Sequence, residues 1–239
     1  MVDRRPLHIS QHILQAAGTR LYVHHRDRVP MDDAVIVVSN HRSFLDACVL
    51  MTALDRPVRF ACHHYMGQVP VMREFVDSLG CFPLDTPGRR QQAFFQQAGQ
   101  LLGTHQVVGI FPEGTQPMVT LKPPSTIQTF HRGFAHLALR SPVPNLAILP
   151  VAIAANAELS GPALPLRALH WADPSEPLFD QSGWHPLVIY RHVTAYIGQP
   201  IWIRQRDRDA YDGKTAKQAV QALSDRCYQD ISDLLQQAF

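Results

Sequence analysis

The sequence predicts a single α/β domain, with a mixed, largely parallel sheet flanked by helices. Continuous apolar runs at Ala34 to Val38, Val107 to Phe111 and Ala147 to Ile153 read as strands buried on both faces. Segments of helical period lie between the strand runs, and parallel neighbours need such crossovers. The chain has 239 residues, 46% hydrophobic and 18% charged, which suits one large domain with a substantial core.

Taken in order, Pro6 to Ala17 carries Leu7, Ile9, Ile13, Leu14 and Ala17 on one stripe, an N-terminal helix within residues 1–18. A strand is expected at Arg20 to His24, a turn at Val29-Pro30, then the buried strand Ala34 to Val38 and a helix from Ser43 to Leu54. Next come a strand near Val58 to Cys62, a helix near Val71 to Ser78 and a short strand near Cys81 to Leu84. The turn Asp85-Thr86-Pro87-Gly88 opens a long helix with Phe94, Phe95, Ala98, Leu101 and Leu102 inward. The strand Val107 to Phe111 ends on Pro112-Glu113-Gly114, and a loop from Gln116 to Thr129 leads to a helix from Phe130 to Arg140 and the strand Ala147 to Ile153. Residues 156–186, rich in proline but also in leucine and tryptophan, read as an irregular apolar loop packed over the domain, or as a lid or membrane-facing surface. A strand at Val188 to Ile197, a segment at Pro200 to Ile203 and a C-terminal helix within residues 214–238 complete the domain.

Composition excludes several classes of function. A net charge of +2 gives no footprint for nucleic acid. Cys48, Cys62, Cys81 and Cys227 are scattered singly, as free thiols of a reducing compartment would be, and no zinc, calcium or other metal-site pattern appears. No signal peptide is expected, and the longest apolar run, Leu146 to Ala155, is about half of the roughly 20 residues that a spanning helix needs. A cytoplasmic protein is the expectation. The N-terminal region carries Arg4, Arg5, Arg20, Arg26 and Arg28 against Asp3 and Asp27, which suits a solvated face or contact with an anionic membrane.

Two fragments at strand ends carry chemistry. Asn40-His41-Arg42-Ser43-Phe44-Leu45-Asp46 is an HX4D pattern that offers a histidine base and a carboxylate able to fold back onto its Nδ1. Asp46, in the first turn of a helix, has its negative charge favoured by the helix N-terminus. Phe111-Pro112-Glu113-Gly114-Thr115 places a second carboxylate on a turn. Each has an ordinary structural explanation alone: Ser43 to Asp46 is a capping-box pattern, and Glu113 a solvated loop acid.

Together, and in this order, the two fragments resemble the first and third motifs of the glycerolipid acyltransferases, of the 1-acyl-sn-glycerol-3-phosphate acyltransferase type. Phe130-His131-Arg132-Gly133-Phe134 resembles that family's FKxG element, and Leu149-Pro150-Val151-Ala152-Ile153 its fourth motif. The resemblance implies an O-acyltransferase of phospholipid synthesis, with acyl-CoA or acyl-carrier protein as co-substrate, no further cofactor, and a lysophospholipid acceptor. It implies that His41 is the base, Asp46 its orienting partner, and that Glu113, Gly114 and Thr115 belong to the acceptor and transition-state pocket. It also implies peripheral contact with a membrane. Gln116 stands where the family often has arginine, His131 where it has lysine, and Thr86 where the second motif ends in arginine; Arg89, Arg90 and Arg132 are candidates for the missing phosphate-binding charge. The residues leave open another hydroxylated lipid acceptor, a thioesterase or lipid hydrolase in which His41 activates water, and a non-catalytic lipid-binding protein.

Overall fold

The computed structural model describes residues 3–62, 70–84, 89–114, 122–165, 167 and 184–239. In chain order the elements are α1 (Arg5–Ala16), β1 (Arg20–His24), a 3₁₀ turn (Arg26–Arg28), β2 (Val35–Ser39), α2 (Asp46–Leu54), β3 (Val58–Cys62), α3 (Pro70–Ser78), β4 (Phe82–Pro83), α4 (Arg90–Gly103) and β5 (Val107–Ile110). There follow α5 (Gly133–Arg140), β6 (Ala147–Pro165), β7 (Trp184–Ile197), β8 (Ile201–Trp202), α6 (Gln205–Asp209) and α7 (Ala216–Gln236). The mixed sheet has eight strands in the order β1-β7-β6-β2-β5-β3-β4, with β8 also on β6. β2 is central and parallel to both β5 and β6, while β6 and β7 are antiparallel.

Alternation along β2 builds the layers. Ile36 and Val38 join Ala98, Leu102, Phe134, Ala138 and Ile231 in one core, under α4, α5 and α7. Val35 and Val37 join Leu7, Leu14, Val49 and Leu50 in the other, under α1 and α2. The parallel strands β2 and β5 thus end on the same edge, which brings the His41 and Glu113 fragments together.

Gly109 matters to that edge. It lies opposite Phe60, and a Cβ there would sit 2.1 Å from the Phe60 ring. With no side chain in the way, Phe60 stacks on Phe111 at 5.2 Å, and Phe111 stacks on His41 at 4.2 Å.

The irregular loop expected over residues 156–186 is strand at both ends. β6 runs on to Pro165 and β7 begins at Trp184, with Glu158 opposite Tyr190 and Pro165 opposite Trp184. Prolines suggested a break because they cannot donate to a ladder, but Pro162 faces Pro186 and the register shifts between Pro162 and Leu164, so the hairpin absorbs them. Residues 166 and 168–183, like the turn expected at 85–88, lie outside the described residues apart from Arg167. Two helices also start late: α2 begins at Asp46 and α5 at Gly133, because the preceding residues are used as side-chain supports and turns.

Candidate active site

Asn40 closes β2 by clamping β6: its Nδ2 donates to the Ile153 carbonyl at 2.9 Å, and its Oδ1 accepts from the Ile153 N–H at 2.8 Å. The chain then turns outward, and the His41 N–H donates to Glu113 Oε1 at 2.9 Å. His41 Nδ1 lies 2.8 Å from Asp46 Oδ2, with the imidazole 17% exposed and the carboxylate fully buried.

The Asp46 carboxylate is the hub of the loop. Oδ2 also accepts from the N–H groups of Arg42 at 2.6 Å and Ser43 at 2.9 Å, and Oδ1 accepts from the Tyr190 hydroxyl at 2.6 Å. The Arg42 and Ser43 bonds tie Asp46, the first residue of α2, back to the loop before it, so one carboxylate holds that loop and the histidine at once. The Ser43 hydroxyl serves elsewhere, donating to the Val188 carbonyl at 2.6 Å and accepting from the Leu45 N–H at 3.1 Å. A group that accepts all these bonds is an acceptor-only carboxylate, so the imidazole carries its proton on Nδ1 and leaves the Nε2 lone pair free.

Glu113 is buried, not a solvated loop acid. Its Oε2 accepts from the Gln128 N–H at 2.7 Å, so both oxygens are committed to backbone donors. Burial raises its carboxyl above the usual range, against the two N–H groups that favour the charge. Gly114 has φ 68°, and a side chain there would meet the His131 ring at 3.3 Å. Thr115 lies outside the described residues.

A narrow recess at His41 has Arg42, Glu113, Lys122, Thr126 and Gln128 in its wall. Arg42 is locked: its guanidinium makes a bidentate pair with Glu158 on β6 and donates to the Lys122 carbonyl. Arg89, Arg90 and Arg132 are not in that wall. Arg89 and Arg132 precede α4 and α5, and Arg90 opens α4, so the helix starts and not the recess hold them. A larger hollow between β8, α6 and α7 is lined by no histidine and lies at the start of β6, the opposite end of the parallel strands.

The structure thus brings together His41, Asp46 and Glu113. Sequence reasoning missed Tyr190, Gln128 and the Arg42–Glu158 pair. A lone tyrosine in an apolar strand, 144 residues from its partner, leaves no local signal. Nothing in the sequence ties Arg42 to Glu158, 116 residues further on.

Residues 20–154 match the sequence model of the family described as Acyltransferase, and the chain belongs to that family. Its fold is similar to that of the crystal structure of the 1-acyl-sn-glycerophosphate (LPA) acyltransferase, PlsC, from Thermotoga maritima, with a TM-score of 0.64 at 16% sequence identity. That likeness covers 98% of this chain and 78% of the other. Comparison with curated proteins gives no match.

Proposed function

We propose that the chain moves a fatty acyl group from a thioester, acyl-CoA or acyl-carrier protein, to the hydroxyl of a lysophospholipid in phospholipid synthesis, with 1-acylglycerol-3-phosphate as the leading acceptor. The observation that supports this reading most is the His41 imidazole, whose Nδ1 is seated on Asp46 while Nε2 has no hydrogen-bond partner among the described residues. Nε2 takes the proton of the acceptor hydroxyl while the oxygen attacks the thioester carbonyl carbon. The tetrahedral adduct then expels the thiolate, which takes the proton back from the imidazolium and leaves as thiol. Asp46 fixes the tautomer and stabilises the imidazolium. Glu113 acts from behind by holding the His41 and Gln128 backbone, and Gly114 keeps the turn open beside His131.

The acceptor phosphate is read by cations at the starts of α4 and α5, Arg89, Arg90 and Arg132, while Thr115, next to Gly114, belongs with the acceptor pocket. Arg42 is excluded from that role by its pairing with Glu158. The lipid is reached from the membrane surface by a peripheral protein. Among the described residues no helix is long and apolar enough to cross a membrane, while the β6–β7 hairpin exposes Leu159, Trp184 and Leu187.

The test is a lipid-panel assay with both donor types, in which thiol release and acylated lipid are measured together. Equal thiol release with and without lysolipid, and no acylated lipid, would replace this reading with a thioesterase. Phosphorylated and phosphate-free lysolipids are compared in wild type and in the alanine variants of Arg89, Arg90 and Arg132. An acceptor-specific rise in KM supports the cation assignment, and equal use of both acceptors with no such rise removes phosphate from it.

A further inference from the structure

Asp46 has two oxygens, and they are held from different parts of the fold. Oδ2 is surrounded by donors of its own loop, the Arg42 and Ser43 N–H groups and His41 Nδ1. Among the described residues, Oδ1 has a single partner, the hydroxyl of Tyr190 on β7 at 2.6 Å. Both groups are fully buried.

We propose that Tyr190 is a positioning residue for the base: its hydroxyl holds Oδ1 so that Oδ2 stays on the His41 imidazole. The kinetic part of this rests on the general-base reading above; the structural part does not. A carboxylate turns easily about its last torsion, which has broad wells. Without the phenol, the fixed donors are two adjacent backbone N–H groups, and a carboxylate with two oxygens settles one on each. That rotation draws Oδ2 away from Nδ1. With the phenol in place, rotation would leave Oδ1 buried without a donor, at a cost comparable to a lost hydrogen bond.

The surroundings suit a permanent donor. Burial pushes the Tyr190 phenol well above its ordinary range, and the neighbouring Asp46 carboxylate adds to that, so the hydroxyl keeps its proton at any working pH. The other charged groups facing it are Arg42 and Glu158, which pair with each other and leave Asp46 as the acceptor. β7 is itself tied to the loop a second time, through the Ser43 hydroxyl on the Val188 carbonyl. The Thr19 hydroxyl meets the same residue only at its backbone, donating to the Tyr190 carbonyl at 2.9 Å.

A tyrosine that merely fills the core would give a different result on losing its hydroxyl, and Tyr190→Phe tests this with the ring and its packing kept. Turnover should fall about tenfold, the worth of part of a charge-assisted hydrogen bond, with donor and acceptor KM near wild type. Independently of activity, ring ¹⁵N shifts of His41 should show a smaller share of the Nδ1–H tautomer than in wild type. Thr19→Val is the control: it removes a hydrogen bond to the same residue without touching the hydroxyl, and should lower the melting temperature with turnover and His41 shifts unchanged. If Tyr190→Phe leaves both turnover and tautomer at wild-type values, or behaves as Thr19→Val does, the proposal is wrong. If wild type itself transfers no acyl group, the general-base reading fails, and the tautomer comparison still decides the role of Tyr190.

Discussion

Asp46→Asn separates what the carboxylate does by geometry from what it does by charge. In the native loop Oδ2 accepts two backbone N–H bonds, so an asparagine should place its single oxygen there and turn its NH₂ toward the Tyr190 oxygen. The His41 Nδ1–H keeps an acceptor, and the tautomer is retained. What is lost is charge. Two unit charges about 4 Å apart at an effective dielectric of about 20 interact by ~4 kcal/mol; a transition state with the proton roughly half transferred feels ~2 kcal/mol of this, or about 30-fold in rate. Turnover should therefore fall about 30-fold, whereas His41→Ala, which removes the base, should cost about 10²–10⁴-fold. The Tyr190 proton loses its acceptor, which should cost roughly 1–3 kcal/mol of stability. Steady-state kinetics with both substrates, a melting curve and His41 ring ¹⁵N shifts check the three parts. A loss equal to that of His41→Ala in a folded protein, or a switch to the Nε2–H tautomer, would refute the reasoning.

Other expectations follow from the same contacts. Burial raises the Glu113 carboxyl, so it binds its proton more tightly folded than unfolded; its contribution to stability is full below the unfolded pKa and is lost as pH rises through the raised value. The melting-temperature advantage of wild type over Glu113→Gln should accordingly shrink as pH rises above about 4.5, and a gap that is flat or widens would count against it. Direct attack by the acceptor predicts sequential kinetics and no acyl-protein by mass spectrometry. Burial has pushed the thiols of Cys48 and Cys62 up to about 11 and that of Cys81 to about 12, which leaves little thiolate to be acylated near neutral pH. Vesicles containing anionic lipid should bind the protein, less so at high salt, since exposed charges are screened within roughly 10 Å at 0.1 M. Leu159→Asp with Leu187→Asp should weaken sedimentation at every salt concentration, and unchanged binding would remove the hairpin from the contact.

The strands and their order of appearance were legible because each central strand is a continuous apolar run, and a buried parallel strand needs little else. The ends of elements were less so. The helix expected from Ser43 begins at Asp46, and the three residues before it form a loop held by the Asp46 carboxylate and by the Ser43 hydroxyl on the Val188 carbonyl of a distant strand. The irregular stretch over residues 156–186 concealed two strand ends, since prolines argue against a ladder and only the facing strand shows that Pro162 and Pro186 occupy opposing positions. Within the site, His41, Asp46 and Glu113 were legible from local spacing and resemblance. Their burial and satisfaction were not, because the partners lie far along the chain: Ile153 for Asn40, Tyr190 for Asp46, Gln128 for Glu113 and Glu158 for Arg42.

That division has a physical cause. A base can be written into a short motif, since five residues suffice to fold a carboxylate back onto an imidazole. Holding the pair rigid cannot be, because a loop leaving a strand offers no fixed donors beyond its own backbone. Here the fixed groups come from three other strands: β6 through Ile153 and Glu158, β7 through Val188 and Tyr190, and the end of β5 through Glu113. The β6 and β7 groups are already immobilised in the sheet, so the loop gains order from them without ordering anything new. The Arg42–Glu158 pair fits the same logic. A charge next to His41 is tied to β6 and to the Lys122 carbonyl, and so supports the recess.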